Sequence, residues 1–359
     1  MKKLFFLLTF LLFANFSYSQ YSSPESVAYD STGKRYIIAN TNTNSLLARS
    51  QNGTVTTFVS GASSPHGLAI YNGNVYVACN GTVRGYKLSD ASLILNVNLG
   101  ATFLNGMDVD ANGILYISDF SAKKIYKLNV NTQAFWVYVA NTVSTPNGVC
   151  VDAPRNRVLF CNWGSNAPVK AINLADSSVS TLVTTTYSNC DGIKMDRNNN
   201  VYVSTWGSSG VFKYDVNFSA PPTLVITGLS SPADIFINKR SDTLVSPNTG
   251  NSTVSFHFLN NPTSIGNSNI EVKDFSLNQN YPNPFNPVTS ISFNLNKQGF
   301  VNLSVYNING KKVSELINAN MNAGFQSVSF NAENLASGIY TYKLSVEGQS
   351  VSKNMVLIK

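Results

Sequence analysis

Hydrophobic residues in this chain come in short runs that alternate with polar ones, at a period of two rather than 3.6. The apolar peaks include "KRYIIAN", "NVYVACN", "GILYISD", "RVLFCNW" and "NVYVSTW". Most follow a cluster of Asn, Asp, Gly or Ser, so each predicts a strand entered through a tight turn. After the first twenty residues no long segment has apolar residues at helical spacing, and the pattern predicts an all-β protein.

The alternation is itself periodic. Similar starts recur at residue 24 ("PESVAYD"), 65 ("PHGLAIY"), 104 ("LNGMDVD"), 146 ("PNGVCVD"), 190 ("CDGIKMD") and 232 ("PADIFIN"). Each leads through a turn into a second strand and then a third, such as "TVRGYKL" or "KKIYKLN", and often a fourth, such as "TVTTFVS". Four antiparallel strands repeated about every 40 residues predict the blades of a β-propeller, and six starts predict six blades across 20–258. The sixth lacks a clear fourth strand, and its closure is expected to use residues 20–23 or part of 264–272. The Asp closing several starts (Asp110, Asp152, Asp196) is expected to cap the turn into strand two.

The blade period fades in the Asn/Ser/Pro/Gly stretch 259–274, which reads as a linker. Short strands resume over 275–359 without that period, and they suit a small immunoglobulin-like β-sandwich. "YPNPFNPVTSISFNL", "VYNINGKKV", "LASGIYTYKL" and the closing "MVLIK" resemble the type A C-terminal sorting domain of the type IX secretion system. That resemblance implies engagement of the secretion machinery through 275–359. It also implies export through the periplasm and outer membrane of a Bacteroidetes-like Gram-negative bacterium, to the cell surface or medium. The three prolines of "YPNPFNP" are expected to fix an extended surface loop.

Composition agrees with export. Only 12% of residues are charged and 43% are hydrophobic, and the net charge of +7 is scattered without basic clusters, which argues against nucleic acid as a partner. Lys2-Lys3, the apolar run "LFFLLTFLLFANF" and "SYS" read as a signal peptide over 1–19. No later segment is expected to span a membrane as a helix. Cys79, Cys150, Cys161 and Cys190 match no zinc spacing and read as buried thiols, with a Cys161–Cys190 bridge left open.

Candidate chemistry follows from the repeat. The first strand of every blade lines the central channel, so equivalent residues converge on its axis. Those after the initial Pro position are Glu25, His66, Asn105, Asn147, Asp191 and Ala233, and Gly follows in blades two to five. Oxygen donors such as Glu25, Asn147 and Asp191 suit a hard divalent cation, Ca²⁺ before Mg²⁺ or Mn²⁺.

This ring resembles the gluconolactonase and senescence-marker-protein (regucalcin) family of six-bladed propellers. The resemblance implies a metal held by Glu25, Asn147 and Asp191, with Asn105 binding substrate. It also implies metal-assisted lactone or ester hydrolysis, with Asp191 accepting a proton and His66 shuttling one. Where that family usually carries an Arg on the substrate, this chain has Phe103. NHL-repeat propellers share the same starts, often without catalysis. Two readings therefore stand: a propeller that binds a small-molecule, carbohydrate or peptide ligand at the channel mouth, and a metal-dependent lactonase. His257, on an outer strand, is expected to be structural. No serine elbow, zinc-protease motif, phosphate loop or dinucleotide fingerprint is present.

Overall fold

The computed structural model of the protein describes residues 20–259, 275–280 and 282–359. The expected signal peptide and nearly all of the expected linker lie outside them. The chain divides into two compact units, 1–261 and 262–359. Among the described residues the only helical turns are the short 3₁₀ segments Thr41–Thr43, Ala153–Arg155 and Thr249–Asn251.

Among the described residues the first unit is a ring of six antiparallel sheets, four-stranded in blades one to five and three-stranded in blade six. Each blade runs in sequence order from the channel outward, as in the sheet Pro24–Asp30, Arg35–Asn40, Ser45–Ser50 and Val55–Ser60. Burial falls along the same direction. Inner strands such as Pro65–Tyr71 are buried over most of their length, whereas outer ones such as Phe135–Val139 are largely exposed. Between blades the facing side chains form dry layers. The layer between blades four and five packs Leu159, Val169 and Cys161 against Ile193, Val203 and Phe212. Burial of each such aliphatic side chain contributes about 1.5–3 kcal/mol.

Among the described residues ring closure falls to the inner strands. The Asp234 N–H donates to Glu25 O at 2.9 Å. Thr249 Oγ1 donates to Pro24 O at 2.8 Å. Val27, Tyr36, Ile38 and Leu47 of blade one pack on Val245 of blade six. Residues 20–23 add no strand, although the Ser23 N–H reaches Ser252 Oγ at 3.2 Å. Residues 264–272 lie outside the described chain.

The turn aspartates behave as expected, with one variation. Asp110 Oδ1 accepts from the Asn112 and Ile114 N–H groups, and Asp196 Oδ1 from those of Asn198 and Asn200. Asp152 instead pairs with Arg155 and Arg157, at 2.9 and 2.7 Å.

The second unit is a two-layer sandwich of seven described strands. One sheet holds Phe275–Leu277, Val288–Leu295 and Gly324–Asn331; the other holds Lys312–Met321, Gly299–Tyr306, Gly338–Val346 and Gln349–Leu357. Alternate residues of both sheets, among them Ile291, Phe293, Leu303, Tyr342 and Leu344, fill its core. The proline loop lies on the surface as expected, with Pro282, Asn283 and Pro284 exposed, but Phe285 is buried in that core and bridges to Leu357. The surface loop is thus anchored by an aromatic plug.

Candidate functional site

The ring residues reach the channel because the backbone bulges there. In all five four-stranded blades the register between strands one and two shifts across this position: between Pro24 and Ser26, Pro65 and Leu68, Ile117 and Asp119 (opposite Asn105), Pro146 and Val149, and Cys190 and Ile193. A bulge leaves residues without a partner strand and re-aims their side chains. Glycine follows because the next blade is so close. A Cβ on Gly106 would stand 2.4 Å from Asn147 O, and one on Gly148 2.4 Å from Asp191 O.

In blades three to five the polar groups around the bulge are met by strand two. The Gly106 N–H donates to Ser118 Oγ at 2.9 Å, and Ser118 Oγ donates onward to Asn147 O at 2.6 Å. Ser204 repeats this with Gly192 and Ala233, at 2.7 and 2.8 Å. Cys161 takes the equivalent place in blade four, its thiol donating to Asp191 O at 2.9 Å. All four cysteines are free and buried. Burial pushes the Cys150 and Cys190 thiols up to about 12 and the Cys79 thiol to about 11, so none is a thiolate at neutral pH.

The mouth is a cavity of about 250 Å³ whose lining includes Glu25, His66, Phe103, Asn105, Asn147 and Asp191. Every sequence-predicted site residue therefore meets there. Ala233, the sixth ring position, does not line it. His257 lies elsewhere, on the strand Thr253–Phe258, with Nε2 2.8 Å from Ser255 Oγ.

The floor is acidic and buried. Glu25 is buried and accepts from Thr249 Oγ1 at 3.1 Å. Burial pushes its carboxyl up to about 7; the Thr249 hydrogen bond opposes this and the Asp234 charge adds to it. Asp191 is held well above the usual carboxylate range by burial, then by the charges of Glu25 and Asp234. The Trp206 indole and the Asn147 amide pull the other way. His66 Nδ1 lies 2.8 Å from Ser64 O; a carbonyl only accepts, so Nδ1 carries the proton. Burial lowers the His66 pKa, leaving a neutral ring with Nε2 as an acceptor.

Three buried polar atoms on this cavity's lining residues complete no hydrogen bond among the described residues: Asn147 Oδ1, Asp191 Oδ1 and Trp206 Nε1. The Asn147 Nδ2 group donates weakly to Cys190 O at 3.4 Å, which leaves Oδ1 as the amide's open end. The Trp206 N–H is near enough to Asp191 to act on its charge, but it is not placed to close a hydrogen bond. Two unmet acceptor oxygens beside a second buried carboxylate are a donor set that fits a hard cation. Among the described residues no group of three or more His, Cys, Asp and Glu side chains is placed to hold a metal, so any ion here would rest on two carboxylates plus amide oxygen.

Two features escaped the sequence reading. Asp234 stands where blades two to five have glycine, buried in the channel between its two mouths. Its Oδ2 accepts from Ser26 Oγ at 2.9 Å, and its Oδ1 lies 3.3 Å from Lys194 Nζ. Lys194 in turn donates to Val149 O at 2.9 Å. Phe120 shares the repeat position of Trp163 and Trp206, a match visible only once strand two of blade three is placed in register.

Comparison with known proteins divides along the two units. Residues 279–359 match the secretion system C-terminal sorting domain. The chain therefore carries the tail of type IX secretion cargo, which directs it out of the cell or to the surface of Bacteroidetes-like bacteria. No curated protein matches. Among solved structures, a gluconolactonase from Xanthomonas campestris aligns at 14% identity and TM-score 0.57, over 64% of this chain and 84% of that one. The calcium-binding protein regucalcin from Agrobacterium tumefaciens aligns at 15% identity and TM-score 0.54, over 63% and 82%. A virginiamycin B lyase from Staphylococcus aureus aligns at 13% identity and TM-score 0.50, over 66% and 84%. At such identities the likeness is one of fold. Among the described residues no helix is long and apolar enough to cross a membrane.

Proposed function

We propose that this exported propeller binds its ligand at the channel mouth, on a divalent cation held by Glu25, Asn147 and Asp191. The observation that carries the reading is the pair of unmet buried acceptors, Asn147 Oδ1 and Asp191 Oδ1, in the cavity that Glu25 also lines. Two carboxylates balance a doubly charged ion. Calcium suits an all-oxygen set and accepts 6–8 ligands, so three protein groups leave positions for water and ligand. When bound, such an ion polarises a carbonyl oxygen. Asn105 and neutral His66 orient the ligand from the same cavity, and Phe103 supplies an apolar contact in place of a guanidinium.

A second reading, lactone or ester hydrolysis, draws support from the fold shared with a gluconolactonase. In it Asp191 takes the proton of the attacking water, and His66 Nε2 relays it. Isothermal titration of the full chain with CaCl₂, MgCl₂ and MnCl₂ tests the first reading. One equivalent of calcium should bind, and Asp191→Ala and Asn147→Ala should each weaken it at least about tenfold. No heat with any of the three ions, or unchanged affinity in both variants, overturns it. Base uptake over a panel of lactones separates the second reading, which fails if Asp191→Ala leaves the turnover unchanged.

A further inference from the structure

The wall of the mouth says more about the ligand than its floor does. Equivalent positions at the end of strand two carry Phe120 in blade three, Trp163 in blade four and Trp206 in blade five. Phe103 extends this row toward His66. The rings meet edge to face in an unbroken chain: His66–Phe103 at 4.7 Å, Phe103–Phe120 at 5.7 Å, Phe120–Trp163 at 5.9 Å and Trp163–Trp206 at 5.1 Å. From Phe103 to Trp206 each is only half-buried, and each lines the cavity. Aromatic surface left open inside a concave site favours an apolar partner.

Charge narrows the choice. No Lys or Arg lines this cavity, so no cationic side chain is placed to pair with a carboxylate or phosphate. With the proposed cation in place the two carboxylates of the floor balance its charge, so the floor offers no net positive charge to an anion. A donor is nevertheless waiting, because Trp206 Nε1 is buried without a hydrogen-bond partner. The cost of a buried unmet donor is removed by a ligand oxygen that accepts from it. The cavity of about 250 Å³ has room for one or two fused rings.

We propose that the mouth recognises an uncharged compound with a flat apolar ring and a carbonyl oxygen, the ring lying on the Phe120–Trp163 wall and the oxygen accepting from Trp206 Nε1. This deepens the binding reading above and rests on it for the position of the ligand.

The test uses two lactams that resist hydrolysis, 3,4-dihydroquinolin-2-one and piperidin-2-one. They share the same six-membered amide ring and differ by a fused benzene. Calorimetric titration of the full chain should give at least about tenfold tighter binding of the fused compound. Trp163→Ala should reduce that advantage to about twofold, with Trp163→Leu as an apolar, non-aromatic control whose melting curve reports folding. Trp206→Phe keeps the ring and removes the donor, so it should weaken both lactams by a similar factor of roughly five. Equal affinity for the two lactams, an advantage that survives both Trp163 variants, or tighter binding of the polyhydroxylated gluconolactam overturns the proposal. Calcium titration of the same protein separates the two readings. Calcium binding without ring preference sinks this proposal alone, and ring preference without calcium binding sinks the cation reading alone.

Discussion

Glu25 gives a quantitative test of how the mouth is charged. In the folded chain burial holds its carboxyl at about 7, against an ordinary value of 4.5. Between those two values the folded protein keeps a proton that the unfolded chain releases. A raised carboxyl therefore favours the folded state fully at low pH, and stability falls as pH rises from about 4.5 toward 7. One pKa unit corresponds to about 1.36 kcal/mol, so the fall between pH 5 and pH 8 should be on the order of 2–3 kcal/mol. Glu25→Gln isolates it, because the amide has nearly the same shape and still accepts from Thr249 but does not ionise. All three tryptophans, Trp136, Trp163 and Trp206, belong to the propeller, so urea unfolding followed by their fluorescence reports on that unit. With chelator present, the wild type should lose about 2–3 kcal/mol relative to Glu25→Gln between pH 5 and pH 8. Saturating calcium should restore the wild type at pH 8 and leave the variant nearly unchanged, since the ion binds the folded, ionised form. A wild-type-minus-variant difference that does not move with pH in chelator would refute the reasoning.

Other perturbations follow from the same geometry. Lys194→Met strands the buried Asp234 carboxylate and should cost about 3–5 kcal/mol in urea unfolding, most of it regained in Lys194→Met/Asp234→Ala; a double variant as unstable as the single one would show that the pair is not the cause. Gly148→Ala drives a Cβ to 2.4 Å from Asp191 O and 2.9 Å from Gly192 Cα, both backbone atoms. It should cost about 1–3 kcal/mol and weaken calcium binding, and a wild-type melting curve would count against the tight inner ring. In the sorting domain the Tyr342 hydroxyl donates to Asn278 O at 2.8 Å and accepts from the Asn280 N–H at 2.7 Å. Tyr342→Phe leaves both groups unmet at a cost of about 1–3 kcal/mol, read as faster amide exchange around Asn280; unchanged protection there would contradict it.

What the sequence disclosed and what it hid both trace to one fact: a propeller repeats backbone roles more strictly than residue identities. The glycine of each start is dictated by the bulge and by the neighbouring carbonyl, so it recurs two residues after positions 65, 104, 146 and 190 and exposes the inner ring to inspection. Glu25, Asn147 and Asp191 were legible as a converging set for that reason. The wall was legible only in part. Trp163 and Trp206 match by identity, but Phe120 fills the same place with a different ring, and Phe103 registered first as a missing arginine. Cys161 hides in the same way, since a thiol does in blade four what the Ser118 and Ser204 hydroxyls do in blades three and five. Asp234 was the hardest to foresee. It occupies a glycine column, where a side chain ordinarily collides with the next blade. In blade six the neighbouring bulged carbonyl, Glu25 O, accepts from the Asp234 N–H, and blade one offers the Ser26 hydroxyl to the Asp234 side chain. Closing the ring thus frees one position for a buried charge. Burial is what chiefly raises Glu25 and Asp191, and that charge, paired with Lys194 on one side, adds to it on the other. The place where the repeat breaks therefore also feeds into the electrostatics of the mouth.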